Sequence, residues 1–108
     1  MEKKIGKIQK VSFGSGGYQD AQFGLSLTLG SDGWGVATFE GHWSAPPSSR
    51  AQWTLEDQTE SFGELSRKII GYLSDAKIAD VAKLQGVPVE CTFDRNTLES
   101  WRILTEVI

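Results

Sequence analysis

Hydrophobic and polar residues alternate with a period of two over several stretches of the chain, which is the pattern of half-buried β-strands. The stretch Phe23–Leu29 is followed by the turn Gly30–Gly33 and the apolar run Trp34–Phe39, so these residues predict a hairpin. The alternation returns on both sides of a polar turn between Pro88 and Ile108. A second hairpin is therefore predicted at the end of the sequence.

The segment Lys3–Phe13 predicts one further strand, with a shift of parity that indicates a β-bulge. Because lysines discourage pairing with other chains, we expect this strand to lie at an edge of the sheet. The glycine-rich segment Gly14–Gly17 ends it.

Between the hairpins the apolar period changes to that of a helix. Thr54 begins a sequence that resembles a capping box, and the helix is expected to run to about Ser74. Gly63 and Gly71 interrupt it, and close packing of its backbone on the sheet would explain them. A short second helix is predicted from Lys77 to Leu84, ended by Gly86.

This order of elements predicts the α+β class. We expect a mainly antiparallel sheet of about five strands, with the main helix and the short second helix inserted between strands 3 and 4. A chain of 108 residues suits a single compact domain, residues 1–108. If an apolar sheet face were left uncovered, a homodimer would follow.

Composition narrows the range of functions. No apolar run reaches the ~18 residues that a membrane span needs, so no membrane association and a cytoplasmic location are expected. One cysteine cannot form an internal disulfide, and Cys91 with His42 cannot supply four zinc ligands. We therefore predict no metal and no cofactor, and the strand pattern turns Cys91 inward as an inert thiol.

Charge is unevenly distributed along the sequence. Residues 20–64 hold seven carboxylates, including Glu40, Glu56 and Glu60, against a single cation, Arg50. Such a balance predicts an acidic face. Direct binding of nucleic acid is not expected across it.

Two further features of the sequence are candidate sites of chemistry. His42 is the only histidine, but no nucleophile or carboxylate stands at a spacing that would pair with it, so we predict that the protein is not an enzyme. The glycine-rich turn resembles a phosphate cradle but lacks the lysine and the following helix of a Walker loop. With an aromatic ring it would form a small-ligand or nucleotide pocket, whose residues would be Gly14, Gly16, Gly17, Tyr18 and Trp34.

The segment from Gly41 to Trp53 is the best candidate for recognition, because it reads as a long loop in which Trp43 and Trp53 flank a Pro-Pro pair. The other interpretation is that both indole rings fold back onto the core. A partner-binding surface formed by this loop and nearby acids would consist of Glu40, His42, Trp43, Trp53, Glu56 and Glu60.

Four segments, Tyr18–Leu25, Gly33–Gly35, Pro88–Phe93 and Trp101–Val107, resemble those of a group of small proteins from phages and prophages. The resemblance covers nearly the whole chain and carries over no catalytic residue or cofactor. It implies an accessory protein made in the bacterial cytoplasm during infection. We therefore predict a non-catalytic inhibitor or adaptor that binds a bacterial host or defence protein, and as the alternative a binder that sequesters a small ligand or nucleotide.

Overall fold

The computed structural model describes all 108 residues and confirms the α+β class. One long helix follows the third strand in chain order and precedes the fourth. The elements are β1 (Glu2–Gly16), β2 (Gln22–Ser31), β3 (Trp34–Trp43), α1 (Leu55–Ala76), β4 (Pro88–Asp94) and β5 (Thr97–Ile103), with short 3-10 turns at Tyr18–Asp20, Val81–Leu84 and Thr105–Val107.

All five strands form one antiparallel sheet in the order β3-β2-β1-β4-β5. The prediction that the first strand lies at an edge is wrong, because β1 is the central strand. Its lysines are tolerated there because Lys3, Lys7 and Lys10 lie at exposed positions of the strand. The predicted bulge is confirmed between Ile8 and Lys10.

Strand β1 is shared between two partners. Its residues Glu2–Lys7 pair with β4, whereas Lys7–Gly16 pair with β2. At the bulge the Ile8 N–H donates to the Val87 carbonyl (2.9 Å), and the Ile8 carbonyl accepts from the Gly86 N–H (2.7 Å). The strand therefore changes partner without leaving the backbone of Ile8 unpaired.

The face of the sheet that meets the helix holds the core, and we call it the inner face. Its central side chains are fully buried, and α1 contributes Leu65 and Ala76 to the same cluster. The sheet residues of this core are Ile8, Leu25, Leu27, Leu29, Val89, Cys91, Phe93 and Ile103. Since the sheet is curled, α1 contacts both of its edge strands, β3 and β5.

Helix α1 begins where its sequence predicts. Thr54 and Asp57 form a capping box in which each side chain accepts a hydrogen bond from the other residue's backbone N–H. The helix ends at Ala76, two residues beyond the expected Ser74 and directly before Lys77, which has left-handed backbone angles. No helix of the structure is long and apolar enough to span a membrane.

Two predictions about the helical region are wrong. A Cβ added at Gly63 or Gly71 would meet no atom within 4 Å, so neither glycine is required by close packing on the sheet. The predicted second helix from Lys77 to Leu84 is only a 3-10 turn over Val81–Leu84. The chain does not continue as a helix because the Asp80 carboxylate accepts a hydrogen bond from the Ala82 N–H (2.7 Å) and so starts a separate, tighter turn.

Candidate functional site

A candidate binding surface of the fold is the side of β1, β2 and β3 that faces away from the helix, which we call the outer face. Side chains alternate along a strand, so burial of Leu25, Leu27 and Leu29 on the inner face turns Ser26 and Thr28 outward. The register then fixes their neighbours. The outer face consists of Lys7, Lys10 and Ser12 on β1, Gln22, Ser26 and Thr28 on β2, and Ala37, Phe39 and Trp43 on β3, with glycines between them.

The outer face has no acidic position, and its lysines have no acidic partner. Neither Lys7 nor Lys10 forms an ion pair; the ion pairs of the structure involve only the cations Lys3, Lys4 and Arg102. The carboxylates beside the face are Asp20 and Asp32, in the turns at its two ends, and Glu90 of β4, which faces the same side and pairs with Lys3 and Arg102. An anion lying across the middle of the face would therefore meet positive charge only.

Two shallow hollows lie on this face. One, of about 380 Å³, is bordered by Lys10, Ser12, Ser26 and Thr28. The other, of about 410 Å³, is bordered by Lys7, by the amide side chain of Gln9, the bulge residue, and at its end by Asp32 of the β2–β3 turn. Ammonium, hydroxyl and amide groups are thus presented together at the surface, which is the donor set that phosphate oxygens accept from.

Glycines keep part of the outer face free of side chains. Gly24 and Gly41 are paired across β2 and β3, and a Cβ added to either would collide with the backbone of the opposite strand. Only glycine fits this close approach. The face is consequently flat between Phe39 and Trp43, and a ligand can approach the backbone itself.

A cleft continues the outer face at the end of β3. It is formed by the last residue of that strand, Trp43, and by the following loop Ser44–Thr54, so β3 extends further into the predicted Gly41–Trp53 loop than its sequence indicated. The cleft measures about 450 Å³ and is lined by Ala21, Trp43, Ala45, Pro46, Ser48, Arg50, Ala51 and Trp53. Two of the predicted partner-binding residues, Trp43 and Trp53, are therefore brought together, and Arg50 is the only charged side chain beside them.

The loop is held in place by Gln58 of α1, a residue that the sequence analysis did not single out. Its side chain is buried and its Nε2 donates to the carbonyl oxygens of Trp43 and Ala45. On the other side of the cleft the N–H and hydroxyl of Ser44 both donate to the Ala21 carbonyl, at 3.0 and 2.9 Å. A glutamine in the second turn of a helix has no distinctive sequence signal, so only the structure reveals this role.

His42 lies on the inner face rather than at the cleft surface. Its ring is 4.6 Å from the ring of Trp53 and 6.2 Å from that of Phe62, both in edge-to-face geometry. The Nδ1 atom is buried and has no hydrogen-bond partner. His42 thus packs beneath Trp53, and its Nδ1 atom meets no carboxylate.

Glu40 is also turned inward, where it accepts a hydrogen bond from the Tyr72 hydroxyl at 3.0 Å. The Tyr72 ring packs against Trp101 of β5 with centroids 5.0 Å apart, so one tyrosine joins the two edge strands. Burial, and then the charge of Glu40 and this hydrogen bond, raise the pKa of Tyr72 above its ordinary value. Of the remaining predicted acids, Glu56 and Glu60 are exposed on α1 and do not line the cleft.

The residues of the predicted small-ligand pocket are far apart. Gly16 is level with Trp43 in the sheet register, whereas Trp34 begins β3 at the opposite end, about 30 Å away along the strand. The Trp34 ring packs on the inner face against Phe93, with centroids 5.7 Å apart, and a Cβ added at Gly6 would touch it. The structure therefore separates Trp34 from Gly14, Gly16, Gly17 and Tyr18, of which Tyr18 is 68% exposed.

The side chains that could ligate a metal are dispersed over the protein, and its one thiol is buried. No group of three or more histidine, cysteine, aspartate or glutamate side chains lies close enough together to hold a metal ion. Cys91 is buried on the inner face, and this burial raises the pKa of its thiol. A raised pKa keeps the sulfur protonated and weakly nucleophilic.

Comparison of the chain with models of protein families, with curated proteins and with solved structures finds no match in any of the three.

Proposed function

We propose that this protein binds single-stranded nucleic acid across the outer face. The observation that carries the proposal is that strands β1–β3 present Lys7 and Lys10, neither of them in an ion pair, together with hydroxyl groups and aromatic rings, and place no carboxylate of their own on this face. A groove that combines cations for the backbone with aromatic rings for the bases is the general arrangement of proteins that bind single strands. Phe39 and Trp43 would offer those rings.

The connectivity of the sheet supports the same class of ligand. Five antiparallel strands with a helix between the third and fourth, and a first strand shared by the second and fourth, resemble the OB-fold, a partly open five-stranded barrel. In that fold the surface of strands 2 and 3 and the loop between strands 1 and 2 contact oligonucleotides. The likeness is one of topology and fixes no function by itself; here the charges and rings of the outer face supply the argument.

This proposal departs from the partner expected from the sequence. The carboxylates that suggested a protein partner lie on other surfaces: Glu40 faces inward, and Glu56 and Glu60 are on α1. The net charge of −3 then describes the whole chain but not the outer face. A bacterial protein partner, a homodimer, a phage origin and a cytoplasmic location all stay predictions.

The proposal can be tested by fluorescence anisotropy with a labelled oligothymidylate of about twelve nucleotides, within the site sizes of such barrels. We expect binding at about 50 mM salt that weakens as salt rises. If Lys7, Lys10 and Arg50 each contact one phosphate, the plot of log affinity against log salt should have a slope of about −2. Absence of binding at low salt would overturn the proposal.

A matched pair of variants separates the outer face from a general effect of charge. Lys7→Gln with Lys10→Gln should lower affinity about tenfold. Lys68→Gln with Lys77→Gln removes the same charge from exposed positions of the helical side and should change affinity less than twofold. Equal losses in the two double variants would mean that the outer face is not the site.

A lysate pull-down with and without nuclease tests the protein partner that the sequence predicts. A partner that nuclease removes agrees with binding of nucleic acid. A nuclease-resistant protein that is lost from Trp43→Ala but retained by the Lys7→Gln, Lys10→Gln variant would assign the loop to protein recognition and contradict the proposal.

A further inference from the structure

The cleft between Trp43 and Trp53 has a different chemistry from the outer face that leads to it. Its walls are two indole rings and small apolar side chains, with one cation, Arg50, and no carboxylate. Its volume of about 450 Å³ falls within the roughly 300–1,000 Å³ of small-ligand sites. A flat, apolar ring with an adjacent negative charge is the ligand that such a set of groups fits.

The cleft is continuous with the outer face. Trp43 is the last residue of β3 and faces outward with Phe39, four positions or about 13 Å earlier in the strand. Between the two rings the paired glycines Gly24 and Gly41 leave the surface flat. A single strand of nucleic acid that follows the outer face along β3 therefore passes Phe39 and arrives at Trp43.

The cleft is also formed in advance of any ligand. Gln58 bonds two successive points of the loop, the carbonyls of Trp43 and Ala45, and Ser44 bonds back to Ala21 on the opposite wall. Trp53 is supported from below by the ring of His42. Because these contacts already order the loop, little conformational entropy is lost when a ligand enters.

We propose that this cleft takes one nucleobase of the bound strand, which stacks on Trp43 while Arg50 contacts the phosphate attached to it. The inference rests on the proposed function and adds to it a fixed anchoring point at one end of the outer face. Trp43 is 36% exposed, so part of the ring is open to a base before binding.

A thermodynamic cycle tests this inference. The affinities of the unaltered protein and of Trp43→Ala are measured for an oligothymidylate and for an abasic oligomer of the same length. We expect Trp43→Ala to lose about tenfold on the thymidylate, in line with the stacking contribution of one base, and less than twofold on the abasic strand. Arg50→Gln should instead weaken both ligands equally, because the phosphates are common to them.

Two controls keep the cycle interpretable. Trp43→Phe retains a ring and should recover most of the lost affinity, and thermal unfolding of each variant shows whether the fold is intact. Trp34→Phe changes a tryptophan of the inner face and should leave the preference for thymidylate over the abasic strand unchanged.

The outcomes separate this inference from the proposed function. Binding of the thymidylate that Trp43→Ala does not weaken would overturn the anchoring site and leave the outer face as the binding surface. An equal loss of affinity for the oligothymidylate and the abasic oligomer would show that Trp43 does not act by stacking on a base, and would also overturn the anchoring site. If the unaltered protein binds neither oligomer, the proposed function itself fails.

Discussion

The inner and outer faces of β1–β3 belong to the same strands and yet have different chemistry. On the inner face Leu25, Leu27 and Leu29 are buried beneath α1, whereas the intervening Ser26 and Thr28 are part of a hydrophilic surface with unpaired lysines. The difference shows that of two adjacent residues on a strand, one packs in the core and the other is available to solvent or a ligand. Substitutions on the inner face should therefore change stability, and those on the outer face should change binding.

The largest effect on stability is expected from Leu65→Ala. Leu65 is the large apolar side chain of α1 that is buried in the core cluster with the sheet, and its truncation should leave a cavity that lowers the free energy of unfolding by about 2–5 kcal/mol. Urea denaturation measures this. Thr28→Ala on the outer face is the matched control and should stay within about 0.5 kcal/mol; an equal loss there would remove the distinction between the faces.

A smaller effect, which depends on pH, is expected from Tyr72→Phe. The variant loses the hydrogen bond to Glu40 that joins α1 to β3, and should be destabilised by about 1 kcal/mol at neutral pH. Folding raises the pKa of Tyr72, so the protonated hydroxyl stabilises the folded protein. This stabilisation is complete below the pKa of about 10 that tyrosine has in the unfolded chain, and it is lost as the pH rises above that value.

The alkaline branch of the stability curve checks this prediction. Above about pH 10, as the pH approaches the raised pKa of Tyr72 in the folded protein, the stability of the unaltered protein should fall more steeply than that of Tyr72→Phe. Tyr18→Phe, in the exposed turn, should behave like the unaltered protein. Identical alkaline slopes for the Tyr72→Phe variant and the unaltered protein would contradict the coupling between Tyr72 and Glu40.

Stabilisation is expected from Gly63→Ala and Gly71→Ala. Both positions are in the helix interior with open space where a Cβ would stand, so each substitution should add up to about 1 kcal/mol from helix propensity alone. The measurement is the shift of the urea midpoint with an unchanged slope. A loss of stability would show that the helix side also needs bare backbone, as Gly24 and Gly41 do on the outer face.

A small change in stability is expected from Phe39→Leu. The substitution keeps an apolar side chain on the outer face and removes only the aromatic ring, so the free energy of unfolding should change by less than about 1 kcal/mol. Affinity for oligothymidylate should nevertheless fall severalfold. Phe93→Leu is the inner-face counterpart and should show the reverse, a loss of stability with affinity retained.

The local elements of this fold could be predicted from the sequence, because each carries its own signal. The two hairpins follow from alternation and turn residues, and the start of α1 follows from the Thr54–Asp57 capping box. The position of β1 could not be predicted in this way. Lysines on one strand are equally compatible with an edge and with the solvent-facing side of a central strand, and only long-range pairing with β4 decides between them.

The candidate site could be predicted in part. The structure brings Trp43 and Trp53 together as the sequence suggested, but the acids grouped with them point elsewhere. A sum of charges over residues 20–64 mixes α1 with both faces of the sheet, so it obscured the absence of acids from the outer face. Arg50 lies in a loop without periodicity or motif, and Gln58 is a polar residue of a predicted helix with no signal of its own, so both roles depend on how the loop packs in the folded protein.

The pairing of β1 with β4 has a consequence for how the chain folds. Neighbouring strands β1, β2 and β3 can form a meander from nearby residues, and β4 and β5 can close their own hairpin at Arg95 and Asn96. Joining these two parts places Glu2 opposite Phe93, so nearly the whole sequence must be enclosed in one loop. Because such closure costs entropy before its contacts form, we expect docking of the β4–β5 hairpin onto Glu2–Lys7 to limit the folding rate, with the meander and the helix already ordered.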